Sequence, residues 1–262
     1  MITLQPDGLE HWLVQLFWPF VRIGACFMVA PLFGAAIVPA RVRIVLAAAV
    51  ATLIAPLLPA LAGVSALSGQ GVLITVQQVL IGVALGFCLQ LTFDAVTLGG
   101  QMLANSMGLS FAFNLDPQRG GASSTPALGQ LFSVLVMLTF LALNGHLTLL
   151  ETLVQSFTTL PIAPEGLGTR GLEIVASWGS HLFAAALAIA LPGITALLVV
   201  HLAFGVVSRA APALNLFAIG LPVSLLCGLV VVLAGLFAVQ ATFIQGLEQT
   251  FRMLGSLIGV TE

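Results

Sequence analysis

The sequence predicts an all-α membrane protein: bent helical hairpins, about six long apolar helices and a central re-entrant loop. Three observations point there. Hydrophobic residues make up 60% of the 262 residues and charged residues 6%, against about a quarter charged in ordinary soluble domains. Apolar runs of about 20 residues, enough to cross a bilayer, recur along the chain. Between two of them lie residues 99–126, GGQMLANSMGLSFAFNLDPQRGGASSTP, too polar and too Gly-rich to be a lipid-facing helix.

The spans follow in order. The first covers residues 12–33 and contains Pro19, Arg22 and Pro31. A link with Arg41 and Arg43 leads to the second, 44–61, with Pro56 and Pro59 near its end. A small-residue turn over 63–71 precedes the third, 72–98. After the central stretch, the fourth runs over 128–150 and carries Asn144, Gly145 and His146. Residues 161–171, PIAPEGLGTRG, form the best internal boundary. The fifth, 174–207, is interrupted by Pro192 and Gly193; a polar corner over 208–215 leads to the sixth, 216–244, with Pro222. The tail with Glu248 and Arg252 has a weak amphipathic pattern. Interior proline bends a membrane helix and frees a carbonyl that a neighbouring helix must satisfy, so bent, closely packed helices are expected. Gly82 and Gly86 form a GxxxG step that lets backbones approach.

Composition also excludes. The chain has no lysine, so neither a Walker A loop nor a Schiff-base or Ser-Lys site can exist in it. Seven scattered arginines and a net charge of −2 make no nucleic-acid surface. With no tyrosine, interfacial anchoring falls to Trp12, Trp18 and Trp178. Cys26, Cys88 and Cys227 lie far apart in apolar runs and read as small buried hydrophobes. His11, His146, His181 and His201 have no metal-ligand spacing, and Ser110 in GLSFA lacks the pattern of a nucleophile elbow. Asp7 and Glu10 precede the first basic residue, Arg22, the reverse of a signal peptide, so the first helix is expected to be retained. Arg41, Arg43, Arg119 and Arg209 outnumber Arg170 and Arg252 across the alternate connections, which places the amino terminus outside.

Two charges inside apolar spans, Arg22 and Asp94, require a physical reason. Pairing them would clasp the first helix to the third; a proton relay through Asp94 is the functional alternative, in a chain with few other ionisable groups at depth. The central stretch has a sharper reading. An irregular backbone survives at membrane depth only inside protein or beside a watery cavity. Met102, Met107, Phe111 and Phe113 would dewet a channel when closed, and Gly99, Gly100, Gly108, Gly120 and Gly121 would let the loop turn and leave. A connection that only packs stays open beside that movable seal.

Four segments carry a family likeness. GLSFAFNLDP (108–117), LALNGHLTLLETLVQSFTTLPI (141–162), GVVSRAAPALNLFAIGLPVSLLCG (205–228) and RIGACFMVAPLFGAAIVPARVRIVLA (22–47) resemble the FliR/SctT family of type III export-gate membrane proteins, in the family's order and spacing. The NGHL and TLPI segments favour the flagellar branch. The resemblance implies a non-enzymatic, cofactor-free subunit of the bacterial inner membrane, within the flagellar basal body. It would assemble with FliP and FliQ into a helical export gate for unfolded flagellar proteins, onto which FlhB docks. Because the chain ends at Glu262, FlhB is expected as a separate subunit. Residues 1–165 would be a FliP-like part and 166–262 a FliQ-like hairpin with its tail. The family's plug maps to about 107–124, shaped by Met107, Gly108, Phe111, Phe113, Asn114, Asp116, Gly120 and Gly121. Arg22, Asp94, Arg209 and Asn215 would hold subunit interfaces or a helix clasp. The family's helices rise into a cone, so apolar spans need not each be a lipid crossing. The rival is a secondary transporter with a broken-helix substrate site around residues 99–126, for which inverted repeats would be expected; none is detectable.

Overall fold

The computed structural model describes residues 6–35, 38–59, 68–109, 127–210 and 216–259. Among them are seven α-helices and no strand: α1 (Pro6–Val29), α2 (Ala40–Ile54), α3 (Gly69–Ser106), α4 (Ala127–Ala142), α5 (Gly145–Thr159), α6 (Thr169–Ala210) and α7 (Leu216–Leu257). A 3-10 turn, Ala55–Leu57, continues α2. Four elements are long and apolar enough to cross a membrane (Ala40–Leu57, Gly69–Ser106, Thr169–Ala210 and Gly220–Leu257), and the bent pair α4–α5 makes up to five. The helical membrane class therefore holds; among the described residues four or five spans qualify, and Gln15–Val29 of α1 forms a further, shorter apolar helix, in keeping with about six apolar helices.

The differences from the expected spans have local causes. α3 does not stop at Leu98 but runs eight residues further, to Ser106. Gly99 and Gly100 are thus helical, where the sequence reading made them turn residues. Their missing side chains admit neighbours: a Cβ on Gly99 would sit 3.0 Å from the Ala186 carbonyl oxygen, and one on Gly100 2.8 Å from Phe132 Cδ2. The fourth span is broken, because Asn144 takes a left-handed conformation (φ 56°) at the start of α5. Asparagine tolerates that region better than most residues. Conversely, Pro192 interrupts nothing: α6 passes through it, and α7 passes through Pro222 and on through the tail to Leu257.

The chain forms two compact units. The first comprises residues 1–91, 141–179 and 248–262. Its centre is a seam between α1 and α3. Trp18, Arg22, Cys26 and Ala30, spaced by four, are all fully buried. The indole of Trp18 donates to Thr75 Oγ1 at 3.2 Å, Arg22 to Gln78, and Cys26 and Ala30 lie against Gly86. Contacts rising together in both helices mean that α1 and α3 run parallel, with α2 as the connection that returns the chain. α2 buries only Ala47, Ala51 and Ile54, and Gln15 Nε2 donates to the Ala55 carbonyl at 3.0 Å, tying its end to α1.

The second unit comprises residues 92–140 and 180–247. Phe93 meets Phe140 and Phe243 edge-on, with ring centroids 5.3 and 5.1 Å apart, the geometry aromatic quadrupoles favour. α3 and α4 approach closely where Gly129 faces Gln101 and the Thr97 carbonyl. On α6 and α7, large apolar side chains point outward, Phe237 at 83% exposure being the extreme. Surface of that kind belongs against lipid or other subunits.

Candidate functional site: a buried arginine and the root of the central segment

Arg22 is the polar centre of the first unit. It sits on the buried stripe of α1 and is 0% exposed. Its guanidinium uses all three nitrogens. Nε donates to Gln78 Oε1 at 2.7 Å. Nη1 donates to the Ser156 carbonyl at 2.8 Å and to Ser156 Oγ at 3.0 Å. Nη2 donates to the Leu160 carbonyl at 2.8 Å. The guanidinium carbon lies 4.2 Å from the centroid of the Phe157 ring.

The partners explain how a charge is tolerated here. Ser156 and Leu160 close the last turn of α5, and Leu160 is its C-cap residue. Carbonyls at a helix C-terminus lack intrahelical donors and carry the negative end of the helix dipole. Arg22 therefore caps α5 from α1 while gripping α3 through Gln78. The charge meets a helix end, an amide oxygen and an aromatic face. The clasp between first and third helices is thus present with a different partner: Gln78, sixteen residues before Asp94 on α3, takes the guanidinium. Asp94 is an exposed residue, as is Arg209 in the last turn of α6. Asn215 lies outside the described residues.

The second unit holds the root of the central segment. Met107 N donates to the Leu103 carbonyl and Gly108 N to the Asn105 carbonyl, both at 3.0 Å, closing the end of α3. Gly108 then takes φ +80°, a left-handed exit that glycine makes without strain. Met107 is 4% exposed. Its carbonyl accepts from Ser224 Oγ at 3.2 Å, and its side chain fills the space left by Gly228 on α7. Phe111, Phe113, Asn114, Asp116, Gly120 and Gly121 lie outside the described residues. The chain thus enters the segment from a fixed point.

Sequence reasoning did not single out Gln78, Ser156, Leu160, Ser224 or Gly228. A signal existed for one of them. Gln77 and Gln78 are adjacent amides in an otherwise apolar run, one turn before Gly82. The others are ordinary helix residues until their neighbours are known.

Gly228→Leu tests the root. A Cβ there would sit 2.5 Å from Met107 Cγ, so the larger residue expels Met107, with an overpacking cost of about 1–3 kcal/mol. In a Cys227→Ala background, a Met107→Cys reporter should become reactive to a water-soluble maleimide only when Gly228→Leu is also present. Equal labelling with and without it would show that Gly228 does not seat the root.

Among the described residues, no three of His, Cys, Asp and Glu come together as a metal site. The structure thus defines a helical membrane protein whose buried polar groups tie helix ends together and fix the base of one segment. The chain belongs to the bacterial export proteins, family 1, whose profile matches residues 13–250. It is 40% identical over 259 residues to the flagellar biosynthetic protein FliR of Escherichia coli (strain K12), covering 98% of each chain. To the protein of that name from Pectobacterium carotovorum subsp. carotovorum it is 38% identical, over 87% of each chain. To that of Bacillus subtilis (strain 168) it is 29% identical, over 92% of this chain and 95% of the relative. The family likeness read from four segments extends over nearly the whole sequence. Flagellar biosynthesis and protein export at a membrane are the setting in which the chain acts.

Proposed function

We propose that the chain is a subunit of the flagellar type III export gate in the bacterial inner membrane. It assembles there with FliP and FliQ into a helical channel for unfolded flagellar proteins, and FlhB docks on the assembly. Residues 107–124 seal the closed pore, and the protein catalyses no reaction. The observation that carries the seal is the seated root: Met107, buried and held by Ser224 and Gly228 at the exit from α3. A plug that must close reproducibly requires one end fixed and a hinge beside it, and Gly108 supplies the hinge. The exposed apolar faces of α6 and α7 are the surfaces that FliP-like and FliQ-like neighbours would cover. Exposed Asp94 and Arg209 suit polar contacts at such interfaces, with Asn215 beside the latter in sequence. Arg22, satisfied within one unit, serves as the internal clasp. The division into a FliP-like part, 1–165, and a FliQ-like part, 166–262, belongs to the same reading.

Deleting residues 108–123 tests it. Co-expressed with FliP-like and FliQ-like partners, the variant is expected to co-purify as the wild type does. Its gate should conduct ions in planar bilayers under conditions where the wild-type gate is silent. Unchanged conductance in an assembled variant would remove the plug, and failure of the wild-type chain to co-purify with both partners would remove the gate.

A further inference from the structure

Among the described residues, only Leu32 and Asn144 carry a side chain at positive φ. Asparagine tolerates that region; for a bulky residue it is a true outlier. Leu32 takes φ 72°, and Phe33 N donates to the Pro31 carbonyl at 3.0 Å, which makes a γ-turn of the rare, strained hand. Three contacts hold the chain in it. Gly34 N donates to the Ala30 carbonyl at 2.7 Å, folding the link over the end of α1. Phe33 stacks on Phe27, with ring centroids 4.4 Å apart and planes at 18°. From the first turn of α2, Arg43 Nη2 donates to the Ala35 and Val38 carbonyls at 2.7 and 3.0 Å. The grip is incomplete: Nε of the same guanidinium is buried with no hydrogen-bond partner, and a buried donor left so is unfavourable.

α2 itself is lightly seated. Its buried residues are Ala47, Ala51 and Ile54, a groove of about 430 Å³ lies between it and α1 and α3, and Val45 and Leu53 are 68% and 75% exposed. In lipid, apolar contact between helices has no hydrophobic drive, because hydrocarbon chains replace it at little loss. The attachment of α2 therefore rests on polar ties at its two ends. Arg43 makes one, and Gln15 Nε2, donating to the Ala55 carbonyl, makes the other.

We propose that α2 is a releasable arm, loaded by the strained turn at Leu32 and latched by Arg43 and Gln15. On release, Leu32 moves to negative φ, Phe33 leaves Phe27, and Arg43 Nε becomes free to find an acceptor. α2 then swings into lipid while the α1–α3 seam and the Arg22 clasp stay as they are. Backbone strain persists where surrounding contacts over-determine it, and it gathers at switch regions. The device is independent of the central segment and of the export-gate reading.

The test is double electron–electron resonance on the full chain in phosphatidylcholine nanodiscs. Nitroxides go on Leu53→Cys of α2 and Leu147→Cys of α5, in a Cys227→Ala background; Cys26 and Cys88 are buried. A reference pair, Val72→Cys of α3 with Leu147→Cys, reports whether the rest of the unit stays put. The α2 pair is expected to show a held and a released distance. Leu32→Ala removes the side chain and keeps the strain, whereas Leu32→Gly removes both. The ratio of held to released arm should therefore be about fivefold higher in Leu32→Gly than in Leu32→Ala. Arg43→Met, which cuts the latch, should move the wild-type ratio about fivefold toward release, with the reference pair unchanged. A single α2 distance that none of these substitutions alters overturns the proposal. Equal ratios in Leu32→Gly and Leu32→Ala also overturn it, since the turn would then load nothing. A reference pair that shifts along with α2 overturns it too, because the unit would be opening as a whole.

Discussion

Arg22→Ala is expected to lower the stability of the purified chain by about 2–5 kcal/mol, because it leaves several buried neutral acceptors without a donor. The Leu160 carbonyl and Gln78 Oε1 lose the donors that Arg22 supplies, and each buried acceptor left unpaired costs about 1–3 kcal/mol. The face of Phe157 loses its covering group. The last turn of α5 loses its cap, so unfolding should begin there. Thermal denaturation followed by circular dichroism reads the total. A melting curve matching the wild type would show that the clasp contributes nothing.

Graded variants separate the contributions. Arg22→Lys keeps the charge but replaces a planar fork by a single ammonium, which cannot reach Gln78, Ser156 and Leu160 together. Arg22→Met keeps the stem and discards every donor. The expected order of stability is wild type, Lys, Met, Ala. A double variant, Arg22→Met with Gln78→Leu, should recover part of the Met loss, because it removes an orphaned acceptor along with its donor. If the double variant is less stable than Arg22→Met alone, Gln78 has a role apart from receiving Arg22.

These expectations rest on contacts whose ends are far apart in sequence, and that distance decides what the chain disclosed in advance. Apolar runs, proline positions and the GxxxG step are local, so the helices and the close approach at Gly82 and Gly86 were readable. So was the need for Arg22 to have a partner, since charge at depth demands one. Its identity was not, because the natural candidate from residue type is a carboxylate, whereas the actual partners are an amide, a serine hydroxyl and two backbone carbonyls. Backbone carbonyls carry no sequence signature; they become acceptors only because α5 ends where it does. The end of α5 was hidden in turn, since the break at Asn144 lies inside an apolar run of full membrane length. Gly99 and Gly100 misled for the opposite reason. Glycine marks either a turn or a close approach, and only Ala186 and Phe132, distant in sequence, select the second. At the root of the central segment, Gly108 was legible as a turn residue, while Ser224 and Gly228, which seat Met107 before it, were not.

The second large effect is expected at the seam itself. A Cβ on Gly82 would strike the carbonyl oxygen of Arg22 and come within 2.9 Å of Ala25 Cβ; one on Gly86 would lie 2.7 Å from the Cys26 carbonyl oxygen and 3.0 Å from Ala30 N. These obstacles are mostly backbone, so no rotamer change relieves them and α1 must move away from α3. Alanine gains about 1 kcal/mol over glycine as a helix former, but overpacking typically costs 1–3 kcal/mol, roughly, and more where the obstacle is rigid. Gly82→Ala and Gly86→Ala should therefore each destabilise, Gly82→Ala the more. Gly179→Ala, with nothing within 4 Å of the added carbon, should be neutral or stabilising. Because the atom that obstructs Gly82 is the carbonyl of Arg22, moving α1 also draws the guanidinium away from the end of α5. Seam and clasp then fail together, and Gly82→Ala combined with Arg22→Ala should cost less than the sum of the two, as coupled neighbours do. Strict additivity would mean that the arginine holds α5 whatever α1 does against α3, and Gly82→Ala as stable as Gly179→Ala would mean that the seam is not packed backbone to backbone.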